Sequence, residues 1–274
     1  MRADLYLVTH GFAGSREKAK KLILGGCVTL DGARLSRPAE EIGDGEHTLT
    51  VRDPARFVSR GGEKLEAALT AFGLNPLGWR ALDIGASTGG FTDCLLQNGA
   101  ASVTAVDSGA GQMSPHLAAD PRVTCFEHCN ARYLTPEAIG GRVRLIVMDV
   151  SFISGTLILP RFSELAEPVA DAVCLIKPQF EVGRAYIGKG GIVRDPAAHR
   201  MAVERVIHSA ESLGMRAVGL IPSPIDGGDG NREFLVHLTL GQDLPPADAS
   251  RVAEVTRKRE KGGADAENRT DYEL

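Results

Sequence analysis

The stretch ALDIGASTGGFTDCLLQNGA, residues 81–100, constrains the fold of this chain more than any other. Ala81 to Ile84 reads as a short buried strand carrying Asp83. Gly85, Ala86, Ser87, Thr88, Gly89 and Gly90 follow, and a helix is predicted to start near Phe91. Glycines at such a corner let the backbone turn tightly and approach a ligand that a Cβ would keep away. A strand, a glycine-rich loop and a helix in that order belong to an open α/β sheet, whose ligands bind at the carboxyl ends of strands. The chain beyond agrees. Short apolar runs at Val103–Val106, Val123–Phe126, Leu145–Met148, Ala172–Ile176, Met215–Leu220 and Phe234–Leu240 alternate with helical stretches. That alternation predicts a mostly parallel sheet with crossover helices, hence an α/β, Rossmann-like domain. The last two runs, divided by a polar loop, are expected to form an antiparallel hairpin at one edge.

The loop spacing is acidic-x-Gly-x-x-x-Gly-Gly rather than G-x-G-x-x-G. It is closer to S-adenosylmethionine enzymes than to dinucleotide enzymes. Asp107 closes the next strand, where an acid can bond ribose hydroxyls. Asp83, Gly85, Ser87, Thr88, Gly89, Gly90, Phe91 and Asp107 are therefore candidate cofactor residues. Asn130, after a further strand, is a candidate for the adenine edge. A nicotinamide or flavin site is the chemical competitor, disfavoured by the lack of a second nucleotide motif. A loop shaped only for folding is the bland alternative.

The first 55 or so residues form a separate unit. Leu5, Leu7 and Val8 begin an apolar helical stripe ended by Gly11, and Ser15 is placed to cap a second helix that Gly25-Gly26 stops. Cys27 to Leu30, a turn at Asp31-Gly32 and Ala33 to Leu35 read as a hairpin, with another strand at His47 to Val51. Residues 52–63 (RDPARFVSRGGE) look like a linker, with 56–63 joining a first domain of 1–55 to a catalytic domain of 64–243. Lys64 to Phe72 reads as an amphipathic helix. Residues 244–274 are charged and nearly without large apolar side chains, so a disordered tail is expected, with a possible helical start at Ala249.

Composition narrows the class. Of 274 residues, 43% are hydrophobic and 24% charged, as in an ordinary soluble protein. No apolar run approaches a membrane span, no signal-peptide core is visible, and five scattered cysteines argue against a disulfide framework, so a reduced cytoplasmic protein is expected. Cys125, His128 and Cys129 lie close together, but no second ligand pair accompanies them, and no metal is expected. A net charge of −4 means that any nucleic-acid contact must come from a local basic patch.

Four further residues stand out: Lys64 at the first helix after the linker, Asp149 in MDVSFIS, Lys177 in IKPQFEVG and Glu233 in NREFLVHL. Asp149 and Lys177 follow strands, so a parallel sheet carries both to the cofactor edge. The blocks SRGGEKL, DIGASTGGFTDCLLQ, MDVSFIS, IKPQFEVG and NREFLVHL together resemble the TlyA family of RNA methyltransferases over about residues 1–241. Some members of that family carry the name haemolysin. The N-terminal unit, with Arg2, Asp4, Ser15-Arg16, Lys18-Ala19, Gly26, Val28 and Gly32, resembles the S-four RNA-binding domain. The remainder is similar to FtsJ-like ribose methyltransferases. The resemblance implies a Lys-Asp-Lys-Glu catalytic tetrad at Lys64, Asp149, Lys177 and Glu233, S-adenosylmethionine as cofactor, with Asp149 also touching it, and ribosomal RNA, at a cytidine ribose, as substrate.

The residue types suit that chemistry. A neutral ribose hydroxyl is a poor nucleophile, and a lysine can orient it or accept its proton. An ordinary lysine has a pKa of about 10.4, so a base role demands a fall of several units. A network that fixes lysine geometry and stabilises oxyanion character demands less. Arg16, Lys18, Lys20 and Lys21 cluster on the second helix, with Arg2 near in sequence and Arg60 in the linker. With the domain resemblance, these six are candidate RNA contacts. Residues 183–200, rich in glycine, are expected to be a mobile polar loop beside Lys177, with 223–231 as an opposite lip. Two other classes compete: an RNA-binding ribosome assembly factor without catalysis, and a membrane-active haemolysin, which would need an apolar or amphipathic membrane helix that the sequence lacks.

Overall fold

The computed structural model describes residues 1–43, 45, 47–51, 56–246 and 249–257. The chain divides into two compact units, Met1–Arg56 and Phe57–Leu274.

The first unit packs two helices, α1 (Ala3–Thr9) and α2 (Arg16–Leu24), with three short antiparallel strands, β1 (Val28–Leu30), β2 (Ala33–Arg34) and β3 (Leu49–Val51), in the order β2-β1-β3. Ser15 caps α2 by accepting from the Lys18 N–H at 3.2 Å. Asp31 and Gly32 both have positive φ, 50° and 81°, which is the two-residue turn that matches strand twist. The core holds Ala3, Leu7, Ala19, Leu22, Ile23, Val28, Leu35 and Ile42. The expected stripe on α1 is displaced. Leu5 is 40% exposed, and the inward face is Ala3, Asp4 and Leu7, residues three and four apart.

The second unit is a seven-stranded sheet in the order β6-β5-β4-β7-β8-β10-β9. Its strands are β4 (Arg80–Ile84), β5 (Ser102–Val106), β6 (Val123–Phe126), β7 (Val143–Met148), β8 (Ala166–Ile176), β9 (Arg216–Pro222) and β10 (Phe234–Leu240). Pairs within β4 to β8 are parallel, and β10 runs antiparallel between β8 and β9, which puts the expected hairpin at the β9 edge. Strand β8 starts six residues before the predicted Ala172, because exposed Pro168 and Val169 break the apolar pattern there. Helices α3 (Gly61–Phe72) and α4 (Gly90–Gln97) cover one face, while α6 (Phe162–Leu165) and α8 (Pro196–Ser212) cover the other. Alternate strand residues serve each face: Leu82, Ile84, Ile146 and Met148 in one core, Ala81, Leu145 and Val147 in the other. Short helices α5 (Pro115–Ala118) and α7 (Pro178–Glu181) complete the loops above the sheet. The chain leaves β4 for β5 and then β6 on one side and returns from β6 to β7 on the other, so the switch point opens over Gly85.

Three expectations change. The linker is not free over 57–63. Helix α3 begins at Gly61, so Lys64 sits one turn inside it rather than at its start. Phe57 is buried in the α3–α4 core, Gly62 leaves room for its ring, and the Val58 N–H donates to Asp93 at 2.8 Å. Residues 52–55 of the expected linker lie outside the described residues. The tail carries a packed helix, α9 (Ala249–Thr256), because Val255 joins the core and the Arg232 guanidinium donates to the Val255 and Arg257 carbonyls. Residues 258–274, the rest of the expected disordered tail, lie outside the described residues. The expected mobile loop 183–200 is tethered. Its last five residues are the start of α8, and buried Asn231 accepts from the Val193 N–H at 2.9 Å and donates to the Gly191 carbonyl at 3.0 Å.

Candidate active site

The glycine loop earns its composition at two points. Gly85 has φ +84°, and a Cβ there would lie 2.3 Å from the Asp149 carbonyl oxygen. At Gly90 a Cβ would lie 2.2 Å from Ser59 Oγ and 3.0 Å from the Gly62 amide. The first glycine lets β4 and β7 turn against each other, and the second lets α4 begin against α3. Asp107 ties the loop down: its carboxylate accepts from the Ser87 N–H at 2.8 Å and the Gly109 N–H at 2.7 Å. Below them Asp83 is fully buried. One carboxylate oxygen accepts from Thr92 Oγ1 at 2.7 Å, while Oδ1 has no conventional partner, and burial pushes the carboxyl up to about 7.

Two clefts meet at this loop and share Gly85, Ser87, Asp149 and Ser151. The larger, about 530 Å³, runs between Asp107, Gln112, Asn130, Val150 and Phe152. Its apolar walls and the Asp107 carboxylate suit a nucleoside. The Asn130 Oδ1 is committed to capping the turn at Arg132 at 3.1 Å, so the amide nitrogen is the group it offers. The smaller cleft, about 290 Å³, is lined by Arg60, Lys64, Thr88, Asp149, Ser151 and Lys177. Phe91 borders it, but its ring is 3% exposed and belongs to the core. Gly89, in the left-handed conformation, is the N-cap of α4.

The four candidate catalytic residues form two ion pairs. Lys64 pairs with Glu233, which stands just before β10 and is 2% exposed. Lys177, just after β8, lies 2.5 Å from Asp149, just after β7, and donates to Ser151 Oγ at 2.8 Å. Burial raises the Glu233 carboxyl above its ordinary range against the pull of Lys64, while Lys177 lowers it and Asp149 raises it. The two pairs thus feel one another.

Sequence reasoning passed over Ser151 and Phe152. Phe152 is 92% exposed with φ +66°, a conformation bulky residues rarely adopt, and its ring lies 5.4 Å from that of Phe180. The only sequence signal was their place directly after Asp149. In the first unit, Lys18 and Lys21 are exposed on α2, and Lys20 lies 3.8 Å from Glu17. Arg2 and Arg16 both bond the buried Asp4, at 3.0 and 2.9 Å, which holds that carboxyl far below its ordinary range through Arg2 first.

Strand order, glycine corner and paired clefts define a methyltransferase of the S-adenosylmethionine-dependent α/β class. Residues 57–240 match the FtsJ-like methyltransferase family and residues 1–47 the S4 domain. The chain is 47% identical over 243 residues to the 16S/23S rRNA (cytidine-2'-O)-methyltransferase TlyA of Mycobacterium tuberculosis, covering 88% of this chain and 91% of that protein. It is 41% identical over 241 residues to Hemolysin A of Brachyspira hyodysenteriae, covering 88% of this chain and 100% of that protein. A solved structure from Streptococcus thermophilus, described as a hemolysin, superposes with a TM-score of 0.72 at 42% identity, covering 93% of this chain and 94% of that one. The chain belongs to the TlyA family, in which an S4 domain precedes an FtsJ-like methyltransferase domain. Its cofactor is S-adenosylmethionine, and the larger cleft, with the Asp107 carboxylate, the Asn130 amide and apolar walls, fits that ligand.

Proposed function

We propose that this protein transfers a methyl group from S-adenosylmethionine to the 2′-hydroxyl of a cytidine in ribosomal RNA, acting in the cytoplasm. The observation that carries the reading is the placement of the Lys177–Asp149 and Lys64–Glu233 pairs at a cleft continuous with the glycine-loop cleft. The name of the Mycobacterium tuberculosis relative supports the substrate.

The bound cofactor supplies an electrophilic methyl on a sulfonium, which needs no further activation. The chain's part is positioning and charge. Lys177, oriented by Asp149 and Ser151, offers N–H donors to the ribose oxygen as negative charge develops there, and the proton that the hydroxyl gives up passes to water in the open cleft. The Lys64–Glu233 pair closes the cleft wall behind and fixes a second ammonium at the same cleft. Preorganised donors of this kind do not have to reorient during the reaction, and alignment of the hydroxyl with the methyl supplies much of the rest. The exposed lysines of α2 and Arg60 at the cleft mouth are the proposed phosphate contacts. No helix among the described residues is long and apolar enough to cross a membrane.

The test is incubation with methyl-labelled S-adenosylmethionine and unmodified ribosomal subunits, alongside Lys177→Ala. Label at a cytidine 2′-oxygen, lost in the variant, is the expected result. Label on a base overturns the 2′-oxygen as the target, and none despite cofactor binding overturns the reading and favours an assembly role.

A further inference from the structure

Residues 149–155 and 177–181 are joined along their length. At one end Lys177 forms an ion pair with Asp149 and donates a hydrogen bond to Ser151. In the middle the Phe152 and Phe180 rings meet. At the other end Glu181, 4% exposed, accepts from Ser154 Oγ at 2.5 Å through one carboxylate oxygen and from the Gly155 N–H at 2.8 Å through the other. The Arg205 guanidinium, on α8, donates to the Glu181 main-chain carbonyl at 2.8 Å and anchors it from below. Between the clamped ends lies the positive-φ backbone of Phe152. A backbone in that region is strained and persists only where its surroundings over-determine it. Burial raises the Glu181 carboxyl, opposed by Ser154, Gly155 and Arg205, so an acid at this depth is held by what it binds.

We propose that Glu181 is a positioning residue for the reaction: its buried carboxylate holds the 149–155 loop in the shape that presents Asp149 and Ser151 to Lys177. It touches neither substrate nor cofactor and acts through the loop. The inference rests on the methyl-transfer reading above. Without the clamp, the loop relaxes at Phe152 and the Lys177 ammonium loses its fixed direction. A misplacement of about 1 Å is worth roughly 100-fold in rate.

Glutamine separates the clamp from its charge. In Glu181→Gln the amide oxygen still accepts from Gly155, and the amide nitrogen donates to Ser154 Oγ, which can turn its own proton to Thr156 Oγ1, 2.7 Å away. Leucine fills the volume and bonds neither. Full-length parent, Glu181→Gln and Glu181→Leu are compared for methyl transfer to ribosomal subunits, at a temperature where denaturation curves show all three folded. Hydrogen exchange of amides 150–155 is measured in parallel. The expected result for Glu181→Leu is a fall in kcat of about 10- to 100-fold with the KM for subunits within about 2-fold. Exchange at 150–155 is faster, and Glu181→Gln stays within about 3-fold of the parent. A parent that transfers no label refutes the methyl-transfer reading itself. An active parent with Glu181→Leu equally active, or with Glu181→Gln as impaired as Glu181→Leu, overturns the positioning role.

Discussion

Replacing Lys64 with methionine removes the ammonium and keeps most of the side-chain volume. Glu233, 2% exposed, is left as a buried carboxylate without its ion-pair partner. Its escape is to take up a proton, and that escape sets a ceiling on the loss. From the ordinary glutamate value of 4.5, protonation at pH 7 costs about 3.5 kcal/mol, at about 1.4 kcal/mol per pH unit. Burial already holds the paired carboxyl above 4.5, so the loss falls short of the ceiling, and about 2 kcal/mol is expected at pH 7. The sign follows from ionisation. The parent carboxylate is charged at high pH and the orphan is not, so the difference grows with pH and is lost as pH falls through the parent carboxyl's raised value. Urea denaturation of the apoprotein from pH 5 to 8 measures it. Lys64→Met/Glu233→Gln should recover most of the stability and lose the pH dependence, while methyl transfer stays low in both variants. A loss equal at pH 5 and pH 8, or one that the second substitution leaves unrepaired, refutes the buried-charge reasoning.

Gly85→Ala combines a φ of +84° with a Cβ 2.3 Å from the Asp149 carbonyl oxygen, so it should cost more than about 2 kcal/mol and abolish cofactor binding by calorimetry; parental affinity would contradict the need for glycine at that corner. Asp83, pushed up to about 7 by burial, holds its proton in the folded state after the unfolded state has lost it. Parent stability should therefore fall as pH rises from about 4 through about 7, by up to about 4 kcal/mol, a decline that Asp83→Asn lacks. Parallel stability curves for the two proteins would count against that titration. Lys18→Ala/Lys21→Ala, both on exposed positions of α2, should leave folding intact and weaken RNA binding. The salt slope of log affinity should flatten by about 2, near 1 per lost phosphate contact, and an unchanged slope places RNA elsewhere.

The central strands were legible because they are buried on both faces, so apolar runs between turn signals mark them. Where polarity interrupts a run, as at Glu167 to Val169, the boundary was lost by six residues. The glycine corner was legible because few residue types tolerate φ +84° beside a carbonyl. The linker was misjudged because Pro54, three arginines and Gly61-Gly62 read as punctuation. In the structure Gly62 makes room for the Phe57 ring, a contact with no local signature. Buried acids were the least legible. Asp4, Asp171 and Glu181 sit in ordinary amphipathic surroundings in sequence, and their partners are set by tertiary packing, such as Arg144 at 2.6 Å and His237 at 2.8 Å for Asp171.

The pairing of the cleft lysines has a consequence for how RNA is handled. Two ammonium groups and two carboxylates make the cluster formally neutral, which is what lets it sit largely out of water. Unpaired lysines there would draw any phosphate into the cleft and hold the ribose oxygen away. Paired ones exert little long-range field, so in the proposed reading docking is left to exposed cations such as Lys18, Lys21 and Arg60, in a chain whose net charge is −4. The cleft then responds to charge only at contact range, when an oxygen beside Lys177 begins to carry it. In the proposed reading, attraction of the RNA and stabilisation of the reacting oxygen thus fall to different side chains, and changing one set should leave the other's measurable, affinity or kcat, in place.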